Sequence, residues 1–142
     1  MFGTSRPGAA AYRQISVSTD ALAASPHQLI VMLFDGAIDA IGTAHTQLRQ
    51  QDTEGKGRSI TRAIGIIGSG LTASLDTSNG GEIAQNLAAL YDYLIRQLLT
   101  ANLRNDTQAL EDAIALLHSL KDSWIAIGQR KTATEITEKA AA

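Results

Sequence analysis

Cysteine is absent from this chain of 142 residues. Its absence excludes a disulfide framework, a thiolate metal site and a thiol nucleophile. Aromatic residues make up only 4% of the sequence and there are only 2 prolines, a composition that disfavours an architecture of strands and tight turns. Ala, Leu, Ile, Gln and Thr are abundant instead. The composition therefore predicts an all-α protein.

A strong charge of either sign is missing as well. The formal net charge is -2, so the chain has no general electrostatic attraction to phosphates or anionic lipids. The N-terminal stretch MFGTSRPGAA lacks the apolar segment of a secretion signal, and no apolar run approaches the length of a membrane-spanning helix. We therefore expect a cytoplasmic protein that binds no nucleic acid and inserts into no membrane.

Sequence motifs for catalysis are also lacking. The chain has no phosphate-binding loop, no dinucleotide-binding glycine pattern and no G-x-S-x-G elbow. His27, His45 and His118 are isolated, without the Glu-x-x-His pairs of a metal-binding helical bundle, and Asp35 and Asp39 are assigned to a solvated helix face. The sequence predicts no enzyme, no cofactor and no metal. A metalloenzyme bundle is the alternative that a metal-free melting measurement would exclude.

The stretch 25–48 carries the clearest helix signal. Ser25 can cap a helix, Pro26 occupies its first position, and Gln28 is placed to close a capping box. Apolar residues then recur at alternating spacings of four and three, which predicts an inward-facing stripe in a bundle. That stripe consists of Ile30, Phe34, Ala37, Ile41, Ala44 and Leu48.

Three further helices are predicted at about 57–75, 82–103 and 107–130, separated by polar or glycine-rich connections. The second contains Gly65, Gly68 and Gly70, which weaken a helix but allow a neighbouring chain to approach closely. Short connections place successive helices antiparallel. We expect an antiparallel up-down four-helix bundle over 25–130, preceded by an N-terminal arm or short helix over 1–24 that packs on it and followed by a flexible tail over 131–142.

The helices carry more apolar residues than their inward stripes require. Outside the stripes lie Leu29, Val31, Met32, Leu33 and Ile38 in the first helix, and Leu90, Tyr93, Ile95 and Leu99 in the third. A helix with one core face cannot bury them all, and large exposed apolar patches mark binding surfaces. The cover is either another part of the chain, a partner protein or a second copy in a homodimer.

Four motifs occur in an order that is specific when taken together: the arm AAAYRQISVSTDAL, then SPHQLIVMLFDGAIDAI, then NGGEIAQNLAALYDYLIRQLLTANLRND, and finally SLKDSWIAI. With this order the chain, from about residue 9 to 127, resembles the flagellin export chaperone family, FliS. Phe34 stands where that family commonly has Tyr, and residues 20–22 alter the link before Ser25.

The resemblance implies a helical bundle that binds the C-terminal region of flagellin in the cytoplasm. It implies that flagellin is kept from polymerising before export by the flagellar type III secretion apparatus, whose components are further possible partners of a monomer or weak homodimer. We expect the arm to cover part of the binding groove in the empty protein. The residues expected to bind the partner are Tyr12, Ile15, Val17, Leu29, Met32, Leu33, Ile66, Tyr93 and Ile95.

Overall fold

A computed structural model describes residues 24–76 and 78–141, and for 131–141 it describes the backbone alone. No strand occurs within these residues, and the all-α prediction is confirmed. The helices are α1 (Pro26–Arg49), α2 (Thr53–Gly65), a π-helical segment that continues α2 (Ile66–Thr72), α3 (Gly81–Arg104) and α4 (Thr107–Ala141). Nearly all of the predicted arm, including Tyr12, Ile15 and Val17, lies outside the described residues.

The start of α1 follows the predicted capping box. The Ser25 hydroxyl accepts a hydrogen bond from the Gln28 backbone N–H at 3.1 Å, and the Gln28 side-chain oxygen accepts one from the Ser25 N–H at 2.9 Å. Pro26 occupies the first turn, where a missing N–H leaves no intrahelical bond unmade. Two otherwise unpaired N–H groups are satisfied here, so α1 begins at a sharply defined residue.

The four helices pack as an antiparallel up-down bundle, as predicted. Helix α1 packs against α2 and α4, and α3 packs against the same two helices from the opposite side. The direction is shown by the pairs between α1 and α4: His27 near the start of α1 contacts Trp124, and His45 near its end contacts Glu111 early in α4. Each connection therefore returns the chain alongside the preceding helix.

The core consists mainly of apolar residues that recur at spacings of three and four, together with Leu33 and Ile66 from outside the predicted stripes. Fully buried large side chains come from all four helices, and they are Leu33, Phe34, Ile41, Ile60, Ile66, Ile67, Leu71, Leu94, Leu98, Leu110 and Leu117. Ile127, three residues after Trp124 and thus in line with the apolar stripe of α4, is instead 50% exposed. Gly128, the next residue, lies against His27 of α1, so Ile127 is turned away from that contact.

The second helix differs most from its prediction. It begins at Thr53 rather than near residue 57, and its glycine-containing half is π-helical from Ile66 to Thr72. A Cβ added to Gly70 would lie 2.9 Å from Cδ2 of Leu33, so α1 approaches the backbone closely at this position. The prediction that a glycine here permits close packing is confirmed for Gly70. Gly65 has nothing within 4 Å of its added Cβ.

The turns between helices use polar caps. The hydrogen bond from the Asn79 backbone, together with those from Ser78, lowers the pKa of the Asp76 carboxyl in the turn before α3. After α3, Asn105 adopts the left-handed conformation with φ 53°, and Asp106 accepts a bond from the Ala109 N–H at 3.1 Å. The predicted breaks at both connections are confirmed.

Lys56 was not predicted to matter, yet it is 3% exposed. Its ammonium donates to the Asn102 carbonyl at 2.9 Å and to the Asn105 side-chain oxygen at 2.5 Å. A buried ammonium is stable only when its donors are paired. Lys56 thus joins the start of α2 to the end of α3, where a cation also suits the helix dipole.

Helix α1 is long and apolar enough, by length and composition alone, to cross a membrane. This corrects the expectation that no stretch of the chain reaches that length. In the bundle, 39% of its most apolar window is buried, and Leu33, Phe34 and Ile41 on this helix are core residues. The apolar character of α1 is used here for helix packing.

Candidate partner-binding surface

Several large apolar side chains surround the end of the bundle at which α1 and α3 begin. Ile83 in the first turn of α3 is 72% exposed and Ile127 in α4 is 50% exposed. Leu29, Val31 and Met32 in α1 are half-buried. We call this end the open end, and these five side chains the open-end surface. Exposed apolar groups gathered at one end of a bundle are typical of a binding surface.

A reciprocal contact between His27 and Trp124 holds the open end together. Their rings stack with centroids 4.7 Å apart. The Trp124 indole N–H donates to the His27 carbonyl at 3.0 Å, and His27 Nε2 donates to the Trp124 carbonyl at 2.8 Å, since a carbonyl can only accept. A Cβ at Gly128 would lie 2.2 Å from that nitrogen. The first turn of α1 is therefore fixed against α4 beside the open-end surface.

Tyr93 lies on a different face, in a shallow depression of ≈ 540 Å³ between α3 and α4. It is 49% exposed, and Gln97 beside it donates to the Ala109 carbonyl at 3.2 Å. Arg96 pairs with Asp92, four residues earlier on the same helix, at 3.3 Å. An exposed aromatic ring bordered by polar groups can pack against a peptide and bond its backbone at once.

Comparison with known protein families shows the family to which a chain with these surfaces belongs. A family model described as Flagellar protein FliS matches residues 8–131 of the chain.

The chain belongs to the FliS family.

The FliS relatives match over most of their length. A flagellar secretion chaperone FliS of Salmonella typhimurium is 50% identical over 128 residues, which is 90% of this chain and 95% of the relative. The FliS of Escherichia coli is 45% identical over 82% of this chain and 86% of its own length. A flagellar secretion chaperone FliSB of Pseudomonas aeruginosa is 41% identical over 80% and 89%, respectively. The chain is thus a member of a family of flagellar secretion chaperones.

Within this FliS fold, the residues predicted to bind a partner fall into three groups. Leu29, Met32 and Ile95 are half-buried, and Tyr93 is exposed. Leu33 is 1% exposed and Ile66 is 0% exposed, which corrects their expected position outside the core. The third group, in the arm, lies outside the described residues. The structure brings Leu29 and Met32 together on α1 but leaves Tyr93 on the α3–α4 face.

The two corrected positions have local causes. Leu33 fits into the space that the missing side chain of Gly70 leaves open. Ile66 starts the π-helical segment, in which each residue turns the helix through a smaller angle than in an α-helix. Ile66 and Ile67 both face the core, as the successive residues Leu33 and Phe34 do in α1. The sequence-based stripe took one residue per turn and therefore included Ile67 but left out Ile66.

The charged groups of α1 also differ from their prediction in part. Asp39 is exposed as expected, but Asp35 is half-buried and pairs with Lys121 of α4 at 2.5 Å. Among the described residues, no group of His, Asp and Glu side chains could hold a metal ion. Asp35 therefore serves as a link between α1 and α4 in this part of the chain.

Burial of Tyr91 should make the stability of the fold depend on pH in the alkaline range. Its ring is 3% exposed and packs against Phe34, and burial raises the pKa of Tyr91 from 10.0 to about 12. Because the folded state resists deprotonation more than the unfolded state, the stabilising contribution is complete below pH 10.0 and is lost as the pH rises to about 12. We expect Tyr91→Phe to lose less free energy of unfolding than the parent protein over this interval, measured by urea denaturation. Equal losses would contradict the assignment.

Proposed function

We propose that this chain binds the C-terminal segment of flagellin in the cytoplasm, prevents its premature polymerisation and keeps it competent for flagellar type III secretion. Support comes from its membership of a family whose curated members are named flagellar secretion chaperones. Export apparatus components are further proposed partners, because a chaperone in secretion must release its client there. The chain acts as a binding protein and performs no catalysis.

The open-end surface is the observation that carries the proposal. A disordered client loses about 1–2 kcal/mol of backbone entropy for each residue it orders. At ~25 cal/mol for each Å² of apolar surface buried, this loss requires roughly 40–80 Å² per ordered residue. A single exposed side chain cannot supply that area over a whole segment. Several apolar side chains on α1, α3 and α4 can supply this area, when the client docks in helix-in-groove fashion around several faces of the bundle.

The proposed contacts follow the accessibility of each residue. Leu29 and Met32 contact the client at the open end. Tyr93 on the α3–α4 face, and Ile95 on the side of α3 that faces Gly68, are proposed as further contacts on separate faces. Leu33 and Ile66 support that surface from within the core, so their contribution to binding is indirect unless the helices separate. The arm around Tyr12, Ile15 and Val17 is proposed to cover this surface until the client displaces it.

The decisive experiment compares two forms of flagellin. The chain is co-expressed with full-length flagellin and with flagellin that lacks its last helical segment, and complexes are isolated by size-exclusion chromatography. We expect a complex with the full-length form only, together with slower polymerisation of that flagellin. A stable complex with the truncated form would contradict the C-terminal assignment. A tight homodimer in light scattering, with no flagellin bound, would favour the structural adaptor instead.

A further inference from the structure

A second groove lies between α2 and α3, toward the opposite end of the bundle from the open-end surface. It has a volume of ≈ 500 Å³ and is lined by Thr53, Glu54, Gly57, Arg58, Thr61 and Asn102. Gly57 has no side chain to fill the groove, and even an added Cβ at this position would have no atom nearer than 4.0 Å. The position follows from the antiparallel pairing of the two helices, in which the start of α2 lies beside the end of α3.

Two exposed leucines flank Asn102, the residue through which α3 lines this groove. Leu99 is 53% exposed and Leu103 is 83% exposed, and residues four apart are neighbours on one helix face. Asn102, between them in sequence, lines the groove itself. The two leucines therefore form a ridge along α3 beside the groove. Leu99 was recognised in the sequence as an apolar residue outside the core stripe, and neither leucine belongs to the flagellin contacts proposed above.

The α2 edge of the groove is cationic. Arg58 and Arg62 are four apart on α2, and both are exposed. Among the described residues no carboxylate pairs with either arginine, and Glu54 is the acidic residue on this edge of the groove. Arg96 and Lys121 differ, because each has its own carboxylate partner. The groove and its margin thus carry two arginines that form no ion pair within the described residues, with Glu54 one turn before Arg58. Two exposed leucines lie on the facing helix.

We propose that the α2–α3 groove binds an acidic amphipathic helix of a second polypeptide. Its apolar face packs on Leu99 and Leu103, and its flanking carboxylates pair with Arg58 and Arg62. Docking of a helix into a groove uses apolar residues at spacings of three and four, and this spacing matches the leucine ridge. The two arginines make an acidic helix, rather than a neutral or basic one, the complementary partner for this groove.

The probe for this proposal is a fluorescein-labelled peptide of about five helical turns, ~18 residues, with leucines on one face and glutamates on its flanks. Fluorescence anisotropy measures its Kd for the full chain. We expect saturable binding that weakens about tenfold in Leu103→Ser and about tenfold in Arg58→Glu. Binding should also weaken as salt rises, because exposed charge pairs are screened. Thr43→Glu, at an exposed position of α1 outside both proposed surfaces, is the control and should leave the Kd unchanged.

A charge swap tests the assignment of the arginines. A peptide in which lysine replaces each glutamate should bind the parent chain poorly and should bind the Arg58→Glu, Arg62→Glu double variant about as well as the acidic peptide binds the parent. Equal binding of both peptides to the parent would overturn the proposal, as would an unchanged Kd in Leu103→Ser. A parent dimer that Leu103→Ser converts to a monomer would also overturn it, since the occupant would then be a second copy.

Discussion

Replacing Leu33 with Ala should lower the free energy of unfolding by about 2–5 kcal/mol, the range for a buried leucine truncated in a packed core. Leu33 is 1% exposed, and its Cδ2 lies where only the missing side chain of Gly70 leaves room. Truncation opens a cavity between α1 and the π-helical segment that neither backbone can close completely. Urea denaturation followed by circular dichroism measures the change. Leu103→Ala, on the surface, should stay within about 0.5 kcal/mol of the parent.

A double-mutant cycle makes this prediction specific to the contact. In the parent, Gly70→Ala adds a Cβ 2.9 Å from Cδ2 of Leu33, and crowding of a buried side chain destabilises the core. In the Leu33→Ala background the same Cβ enters the vacated space and should stabilise the protein. The effect of Gly70→Ala is therefore expected to change sign between the two backgrounds. Additive effects would show that the two positions do not share a packing contact.

The sequence predicted those parts of the fold that depend on local periodicity and capping. Ser25 and Gln28 are three residues apart, so their capping box is visible without any knowledge of tertiary structure. The stripe of α1 was predicted correctly for the same reason, because residues three and four apart lie on the same face of a regular α-helix. The antiparallel order followed from short connections.

Features that depend on distant contacts or on irregular backbone could not be predicted. His27 and Trp124 are separated by 97 residues, and no local pattern indicates that their rings stack. Lys56 has the residue type most often found at the surface, but the carbonyl and amide that hold it belong to the end of another helix. The π-helical segment from Ile66 to Thr72 was not predicted either, because no local sequence pattern distinguishes it from a glycine-rich α-helix.

The sequence predicted that a binding surface exists and that it is apolar, but it predicted only some of the residues that form it. Excess apolar residues on α1 and α3 indicated a binding surface, and Met32 and Tyr93 are indeed not enclosed by the core. Ile83 was missed because it lies in the first turn of α3, where the spacing of apolar residues is too short to distinguish an exposed end from a buried stripe. Ile83 is exposed because it lies at the end of the bundle, and sequence periodicity does not show where the bundle ends.

Replacing Met32 with Asp should weaken binding of the flagellin C-terminal segment by at least about tenfold, because an unpaired carboxylate would be desolvated in an apolar contact. Met32 is half-buried beside the fully buried Leu33, so the two neighbours should respond differently. Met32→Asp should retain near-parent helicity and lose affinity, whereas Leu33→Ala should lose stability first. Isothermal titration with a purified flagellin segment measures the Kd, and circular dichroism measures helicity.

Thr43→Asp is the matched control, since it adds the same charge at an exposed position of α1 and should leave the Kd unchanged. Global unfolding of Met32→Asp would show that Met32 serves the core, and an unchanged Kd would remove it from the proposed contact. The same titration on a chain that lacks residues 1–17 separates the arm from the surface beneath it. If the arm competes with the client, its removal raises affinity by the inverse of the fraction of molecules that are open in the intact chain. Met32→Asp should then lose affinity in both backgrounds. The loss should be larger without the arm, because in the intact chain the substitution also weakens the arm that covers Met32.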